Sequence, residues 1–145
     1  MVGSRPGLYL ETIQQDMDLM GLTNTRLVPE TIDIYDWYRL ADIFVCTSFE
    51  ESFPRVLLES AAFRIPIVST NVNGIPEMLV NHDEAHLIPA GDYFKLAAAL
   101  KACLDRHFSR DDRMISRAFA RVSRYYDVRV SLADHVAMAR EAYFS

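Results

Sequence analysis

The sequence predicts an α/β fold in which an open, mostly parallel sheet is flanked by helices. Strand-like and helix-like segments alternate along the 145 residues, as expected when parallel strands are joined by helical crossovers. The run over residues 42–47 is apolar on both faces, which is typical of a strand buried within a parallel sheet. The connections that follow the strands should therefore gather at one edge of the sheet, where ligands bind in such folds.

Each predicted element follows from a local pattern. Apolar and β-branched runs predict strands over residues 25–28, 42–47, 66–69 and 85–88. Apolar spacing and turn residues predict helices over 8–20, 54–63, 75–80, 94–106 and 128–144, a turn or short helix over 32–40, and a further helix opened by Ser109. Gly21 should end the first helix, Pro54 should lie in the first turn of the second, and Asp92 is the expected N-cap of the helix over 94–106.

Length and composition bound the class of protein. The chain fits a single domain over residues 1–145, with C-terminal helices from 109 onward, and half of its residues are apolar. A formal net charge of −5 argues against a nucleic-acid partner. The sequence shows neither an apolar run near the ~20 residues of a membrane span nor a signal-like leader. Cys46 and Cys103 are interpreted as buried thiols, so a cytoplasmic location is expected.

The segment 51–59 carries the strongest chemical signal. Glu51 and Glu59 stand eight positions apart, between a strand-like run and an apolar helical run. This strand–turn–helix unit would place Glu51 on the loop and Glu59 in the first turns of the helix. Free backbone N–H groups at a helix N-terminus form a natural phosphate site. A carboxylate beside that site can reach hydroxyl groups on whatever the phosphate carries, so the pattern indicates recognition of a nucleotide-linked sugar.

These residues resemble the C-terminal, donor-binding domain of retaining GT-B fold glycosyltransferases of the family-four type, also called glycosyl transferases group 1. The signature of that group is a glutamate, seven residues and a second glutamate, here Glu51 and Glu59. The similarity continues over residues 41–45, 66–70, 73–77 and 87–92. It implies a Rossmann-like open parallel sheet that forms one half of a GT-B architecture and lacks its first strand–helix segment. Residues 1–4 read like the tail of a strand, which also suggests a piece of a longer protein.

The resemblance implies a role for each motif residue. Glu51 would be catalytic, contacting donor-sugar hydroxyls and supporting positive charge at the anomeric carbon, while Glu59 would bind the ribose hydroxyls. Gly74 would let a loop approach closely, and residues 29–31 would border the base. The full donor-binding set is Ser52, Phe53, Pro54, Arg55, Val56, Glu59 and Gly74. The amides of Arg55 and Val56 are the better diphosphate contacts, because proline has no N–H.

The family also implies what surrounds this site. The co-substrate would be a nucleotide-diphosphate sugar, with no metal and no other cofactor. An N-terminal acceptor domain and an earlier basic segment that grips the diphosphate are expected partners and are absent from this sequence. His86 stands where the family usually has an apolar residue. The chain alone is therefore not expected to turn over.

Several alternatives stay open at this point. Glu51 could simply be an acid at a helix N-terminus, and Glu59 could pair with Arg55 at i,i+4. The protein could also be a non-catalytic nucleotide-binding module, or a nucleotide-sugar epimerase of the same architecture. The four histidines are scattered, and only His86 lies near the expected ligand edge. One helical stripe of arginines could be a solvated face, or could contact an anionic membrane surface or a partner domain: Arg110, Arg113, Arg117, Arg121 and Arg124.

Overall fold

The computed structural model describes residues 2–4, 6–109 and 112–129. Strands and helices alternate along these residues, as the sequence predicts. The strands are β1 (Val2–Ser4), β2 (Val28–Pro29), β3 (Phe44–Cys46), β4 (Ile67–Thr70) and β5 (His86–Ile88). The helices are α1 (Leu8–Leu19), α2 (Ile34–Leu40), α3 (Arg55–Ala62), α4 (Ile75–Met78), α5 (Tyr93–Ser109) and α6 (Arg113–Tyr125).

The chain divides into two compact units, Met1–Leu40 and Ala41–Ser145. In the first unit, β1 and β2 form a parallel pair, and α1 follows β1 along the chain. Gly21 lies just beyond α1 with a φ of 63°, a left-handed conformation that glycine adopts without steric cost. Whether the two units act as the single domain predicted from length stays a prediction.

The second unit is built on a three-stranded sheet of order β3-β4-β5 in which both pairings are parallel. Parallel neighbours need crossover helices, which α3 and the short α4 supply between successive strands. The predicted open parallel sheet flanked by helices is therefore confirmed. The carboxyl ends of all three strands lie at one edge, so the turns that follow Cys46, Thr70 and Ile88 share that edge.

The two faces of this sheet carry separate apolar clusters, because successive strand residues point to opposite faces. On one face, Ile67 and Leu87 pack in a cluster with Leu57 of α3 and with Ala118 and Val122 of α6. On the other face, Val68 and Ile88 pack with Ala99 and Cys103 of α5. Each fully buried side chain such as Leu57 stabilises the fold by about 1.5–3 kcal/mol. The predicted burial of Cys46 and Cys103 is confirmed, and neither residue forms a disulfide bond.

Several predicted boundaries differ from the structure. The prediction that Ser109 opens a helix is wrong, since Ser109 is the last residue of α5. The sequence between 94 and Ser109 has neither Gly nor Pro to end the helix, and α6 begins at Arg113. Pro54 is the N-cap of α3 rather than a member of its first turn. The strand predicted over 25–28 is β2, shifted to Val28–Pro29.

Two further features bear on the sequence predictions. The helix predicted over 128–144 lies outside the described residues except at 128 and 129, which are helical. Among the helices in the described ranges, none combines the length and apolar character needed to cross a bilayer.

Candidate functional site

The turn between β3 and α3, residues 47–54, leaves the start of α3 without a side-chain cap. Pro54 occupies the N-cap position with φ −72° and ψ 100°, and its side chain makes no capping hydrogen bond. The N–H of Leu57 donates to the carbonyl of Pro54 at 3.0 Å. The N–H groups of Arg55 and Val56 have no intrahelical acceptor, because they belong to the first turn. The positive end of the helix dipole is therefore presented at this turn.

The carboxylate of Glu51 is oriented by a short hydrogen-bond chain. The Ser48 hydroxyl donates to Oε1 of Glu51 at 3.0 Å. The hydroxyl of Thr70, a buried residue at the end of β4, donates to the Ser48 carbonyl at 2.6 Å. These bonds join the β3–α3 turn to the neighbouring strand and leave Glu51 with one carboxylate oxygen that they do not use. The sequence analysis gave no role to Ser48 or Thr70, and their contact joins residues 22 apart along the chain, for which there is no local signal.

Gly74 lies against the same turn at a distance that only glycine permits. Its N–H donates to the Glu51 carbonyl at 3.4 Å. A Cβ atom at this position would lie 2.0 Å from the carbonyl oxygen of Ser52. Gly74 has a φ of −77°, so space rather than backbone conformation demands glycine. The preceding Asn73 adopts the left-handed conformation that brings this loop in, with a φ of 45°.

Helix α6 and the next residue, Tyr126, contact the β3–α3 turn and the end of α4. The Phe53 ring lies 5.8 Å from the Tyr126 ring at an interplanar angle of 56°. Tyr126 donates its hydroxyl to the Glu77 carbonyl at 3.4 Å. Arg121 donates from Nε to the Met78 carbonyl at 2.8 Å and from Nη2 to that of Glu77 at 3.0 Å. These contacts satisfy carbonyls at the end of α4, where helix geometry leaves them without partners.

The predicted arginine stripe is therefore engaged, at least in part, within the protein. Arg117 hydrogen-bonds the Asp83 carboxylate, and Arg121 lies 3.5 Å from the carboxylate of Glu84. Glu84 is buried and also accepts the N–H of Val80 at 2.7 Å. Arg124 stacks over Tyr125, with 5.2 Å between the guanidinium carbon and the ring centroid. Arg110 lies outside the described residues.

Glu59 lies one helical turn beyond Arg55 on α3. The two side chains form an i,i+4 ion pair at 3.8 Å, with the Arg55 side chain 83% exposed and that of Glu59 30% exposed. An ion pair this long and this exposed contributes little to stability. The pair that the sequence allowed is thus present, and it is weak.

The structure brings some of the predicted site residues together and leaves others apart. Glu51, Ser52 and Gly74 are in direct contact, and Phe53, half exposed, adjoins them along the chain. Val56 is 39% exposed at the first turn of α3. Glu51 and Glu59 line neither of two cavities formed by described residues of this unit. The base-bordering role predicted for residues 29–31 concerns the first unit and stays a prediction.

His86 is buried rather than at the surface. It lines a cavity of about 520 Å³ beside α5 together with His82, and the two imidazole rings lie 6.1 Å apart. Within the described ranges there is no group of three or more His, Cys, Asp or Glu side chains placed to hold a metal ion.

Comparison with solved structures defines the fold. HepE of Anabaena, crystallised in complex with UDP, superposes with a TM-score of 0.83 at 24% identity and covers 92% of this chain and 37% of its own. Sucrose-phosphate synthase from Thermosynechococcus elongatus superposes with a TM-score of 0.84 at 20% identity, over 97% of this chain and 37% of its own. The fold is that of one half of a GT-B glycosyltransferase.

Sequence comparison then identifies the family. The profile described as "Glycosyl transferases group 1" matches residues 1–106, and the chain belongs to that family. It is 25% identical over 107 residues to the capsular polysaccharide biosynthesis glycosyltransferase CapM of Staphylococcus aureus, covering 72% of this chain and 28% of CapM. It is 30% identical over 103 residues to a D-inositol 3-phosphate glycosyltransferase of Paenarthrobacter aurescens, covering 71% and 25%. The chain thus spans little more than a quarter of the length of these curated relatives.

Proposed function

We propose that this chain is the donor-binding part of a retaining, metal-independent transferase that moves a hexose from a nucleotide-diphosphate sugar to a glycan, lipid or small-molecule acceptor. One observation carries the proposal: the uncapped N-terminus of α3 lies next to a carboxylate, Glu51, that a dedicated hydrogen bond holds in place. A phosphate and a sugar hydroxyl need these two groups side by side. Membership of the glycosyl transferases group 1 supports this interpretation.

The diphosphate would lie against residues 53–56. The amides of Arg55 and Val56 donate to phosphate oxygens, and the helix dipole favours the negative charge there. As the bond to the anomeric carbon breaks, charge on the leaving diphosphate grows, so fixed N–H donors bind the transition state more strongly than the ground state. In this proposal the helix N-terminus, rather than a metal ion, compensates that charge.

Glu51 would act on the sugar itself. One of its oxygens accepts the Ser48 hydroxyl, which leaves the other to accept a donor-sugar hydroxyl. The same fixed negative charge stabilises the positive charge that develops at the anomeric carbon in an oxocarbenium-like transition state. Because Thr70 and Gly74 hold this turn, the carboxylate needs little reorganisation during the reaction.

Glu59 would bind the ribose. A carboxylate can accept from two adjacent hydroxyls at once, as the 2′ and 3′ hydroxyls of a ribose require. Its ion pair with Arg55 is long, at 3.8 Å, and contributes little to stability.

The relatives support this division of labour. HepE has been crystallised with UDP and with UDP-glucose, and CapM is a polysaccharide glycosyltransferase. Because the chain spans only part of their length, we propose that an N-terminal acceptor domain completes the site and that the isolated chain binds donor without turnover. A cytoplasmic location, and contact of the arginine stripe with a membrane surface, stay predictions.

Nucleotide titration tests the proposal directly. UDP, GDP and ADP are titrated into the 145-residue chain while amide shifts are followed by NMR. We expect one of them to saturate shifts at residues 51–56, and Glu59→Gln to weaken that nucleotide about tenfold, the effect of losing a charge-assisted hydrogen bond. Glu50→Gln, a neighbouring exposed acid, is the matched control.

The absence of saturable shifts with all three nucleotides would contradict the proposal, and equal weakening by the two variants would remove Glu59 from the ribose role. In the full-length protein, the anomeric configuration of the product reports retention. Turnover in excess EDTA reports metal independence.

A further inference from the structure

A second cavity opens at the same edge of the sheet, on the side that faces α5. Its volume is about 260 Å³, and it is lined by residues that follow β3, end β4 and begin α5, among them Thr47, Phe49, Thr70, Gly91, Asp92 and Tyr93. This volume is below the roughly 300–1,000 Å³ typical of drug-sized ligands. The cavity therefore suits a single small ring. None of the residues predicted to bind the donor lines it.

Two aromatic side chains stand at this cavity without being part of either apolar cluster. Phe49 is 74% exposed and Tyr93 is 70% exposed. Single exposed aromatics are ordinary, but two that line one cavity offer aromatic surface to a ligand. The Tyr93 ring also contacts that of Phe94, with centroids 4.6 Å apart. Gly91 leaves room for the Phe49 ring: a Cβ there would lie 3.7 Å from its Cε1 atom.

The lining also includes the polar residues Thr47, Thr70 and Asp92, beside the apolar Ile88 and Leu96. Asp92 accepts the Lys95 N–H at 2.9 Å as the cap of α5, and its other oxygen lies 3.4 Å from the Lys95 ammonium. The backbone N–H of Lys95 lowers the pKa of Asp92, so the carboxylate is ionised at neutral pH and acts only as an acceptor. The buried Thr70 hydroxyl donates to the Ser48 carbonyl, whereas Thr47 is exposed at the cavity.

This lining selects among ligand classes. An ionised carboxylate disfavours a phosphate, and an acyl chain would place apolar groups against that charge and take it out of water. A sugar ring uses both kinds of lining group. Its C–H face packs on the electron-rich face of an aromatic ring, while its hydroxyls donate to Asp92 and bond with Thr47.

The position of the cavity suggests which sugar it takes. Thr70 bonds Ser48, and Ser48 bonds the Glu51 carboxylate, so the cavity wall and the candidate catalytic acid share one hydrogen-bond chain. We propose that this cavity binds a sugar ring of the acceptor, so that the acceptor is a glycan or glycoside and this half of the enzyme helps to choose it. That the bound sugar is an acceptor rests on the proposed transferase function. Sugar binding at the cavity does not depend on nucleotide binding.

The test uses the 145-residue chain and a panel of methyl glycosides of glucose, galactose, mannose and N-acetylglucosamine, with glycerol as a polyol that lacks a ring face. We expect at least one glycoside to give saturable NMR shifts at Gly91, Asp92 and Tyr93, and glycerol to give none. Phe49→Ala and Tyr93→Ala should each weaken that glycoside roughly tenfold, the scale of losing one aromatic contact. Asp92→Asn keeps a good helix cap and should weaken it by a smaller factor.

Tyr125→Ala is the matched control, because Tyr125 is also a half-exposed aromatic residue but does not line the cavity. The proposal is overturned if no glycoside produces saturable shifts, if the shifts map elsewhere, or if both aromatic variants bind like Tyr125→Ala. Nucleotide binding without glycoside binding would refute this inference alone, whereas glycoside binding without nucleotide binding would refute the proposed function and keep the sugar site.

Discussion

The β3–α3 turn and the β5–α5 turn lie at the same edge of one sheet, yet they treat their helices in opposite ways. In the β5–α5 turn, residues 89–92, Asp92 caps the helix by accepting the N–H of Lys95. In the β3–α3 turn, Pro54 stands at the cap position and offers no side-chain acceptor. Two turns with the same structural task thus leave one helix N-terminus satisfied and the other available.

This difference in capping indicates which helix N-terminus can bind an anion. A capped helix has already used the N–H groups that a phosphate would need, and Asp92 adds a negative charge of its own. The uncapped helix is stabilised by packing instead, since Leu57 and Ala61 are fully buried against the sheet and α6. The turn that leaves its helix uncapped is therefore the one suited to an anionic ligand. The capped turn lines the cavity that we propose for an uncharged sugar ring.

The largest expected effect comes from removing the carboxylate at the available turn. Glu51→Gln in the full-length protein should reduce kcat by about a hundredfold or more, the scale of losing one preorganised electrostatic contact to the transition state. The amide can still accept the Ser48 hydroxyl, so the melting temperature should change little. Turnover and thermal melts of Glu51→Gln and the control Glu50→Gln make the measurement, and wild-type kcat in Glu51→Gln would end the catalytic assignment.

A smaller effect is expected when the available turn is displaced. Gly74→Ala places a methyl group where the Ser52 carbonyl lies, and the turn has to move by about 1 Å to restore a 3.0 Å contact. We expect the free energy of unfolding to fall by about 1–3 kcal/mol, as for other overpacked sites. Nucleotide affinity should fall with it, because the amides of Arg55 and Val56 move.

Gly91→Ala at the capped turn is the matched control. That glycine has a φ of 78°, so alanine is strained there, but its nearest neighbour would be an aromatic carbon at 3.7 Å. Denaturant unfolding should show losses in both variants, whereas amide shifts at residues 51–53 and weakened nucleotide binding should be confined to Gly74→Ala. If Gly74→Ala bound nucleotide normally, the close approach would serve folding alone.

The smallest effect should come from giving α3 the cap that α5 already has. Pro54→Ser introduces a hydroxyl that can accept an N–H of the first turn and compete with phosphate. A cap worth about 1 kcal/mol would weaken nucleotide binding roughly fivefold. Pro54→Ala relaxes the backbone equally without an acceptor, so isothermal titration of the two variants isolates the cap. Equal affinities would show that phosphate does not use these N–H groups.

The sequence predicted the elements that local chemistry controls. Alternation of strands and helices, the parallel sheet, the stop at Gly21 and the cap at Asp92 all depend on residues close together in the chain, and the structure confirms them. The misplaced start at Ser109 shows the limit of the same reasoning, because polar residues are tolerated inside a helix when no Gly or Pro interrupts it.

The contacts that shape the candidate site were not predictable in the same way. Thr70 and Ser48 are 22 residues apart, and Arg121 and Met78 are 43 apart, so only the folded chain brings them together. The Glu51–Glu59 pair was recognised from its spacing and family context. Its roles in donor binding stay predictions.

Helix α6 has a practical consequence for defining this domain. The family similarity ends at residue 106, whereas α6 spans Arg113–Tyr125. A truncation at the edge of the similarity would uncover Leu57 and Ala61 and release the anchors on Phe53, Glu77 and Met78. Recombinant boundaries for this protein should therefore extend past Tyr126, because the segment that the family profile matches depends on a helix outside that match.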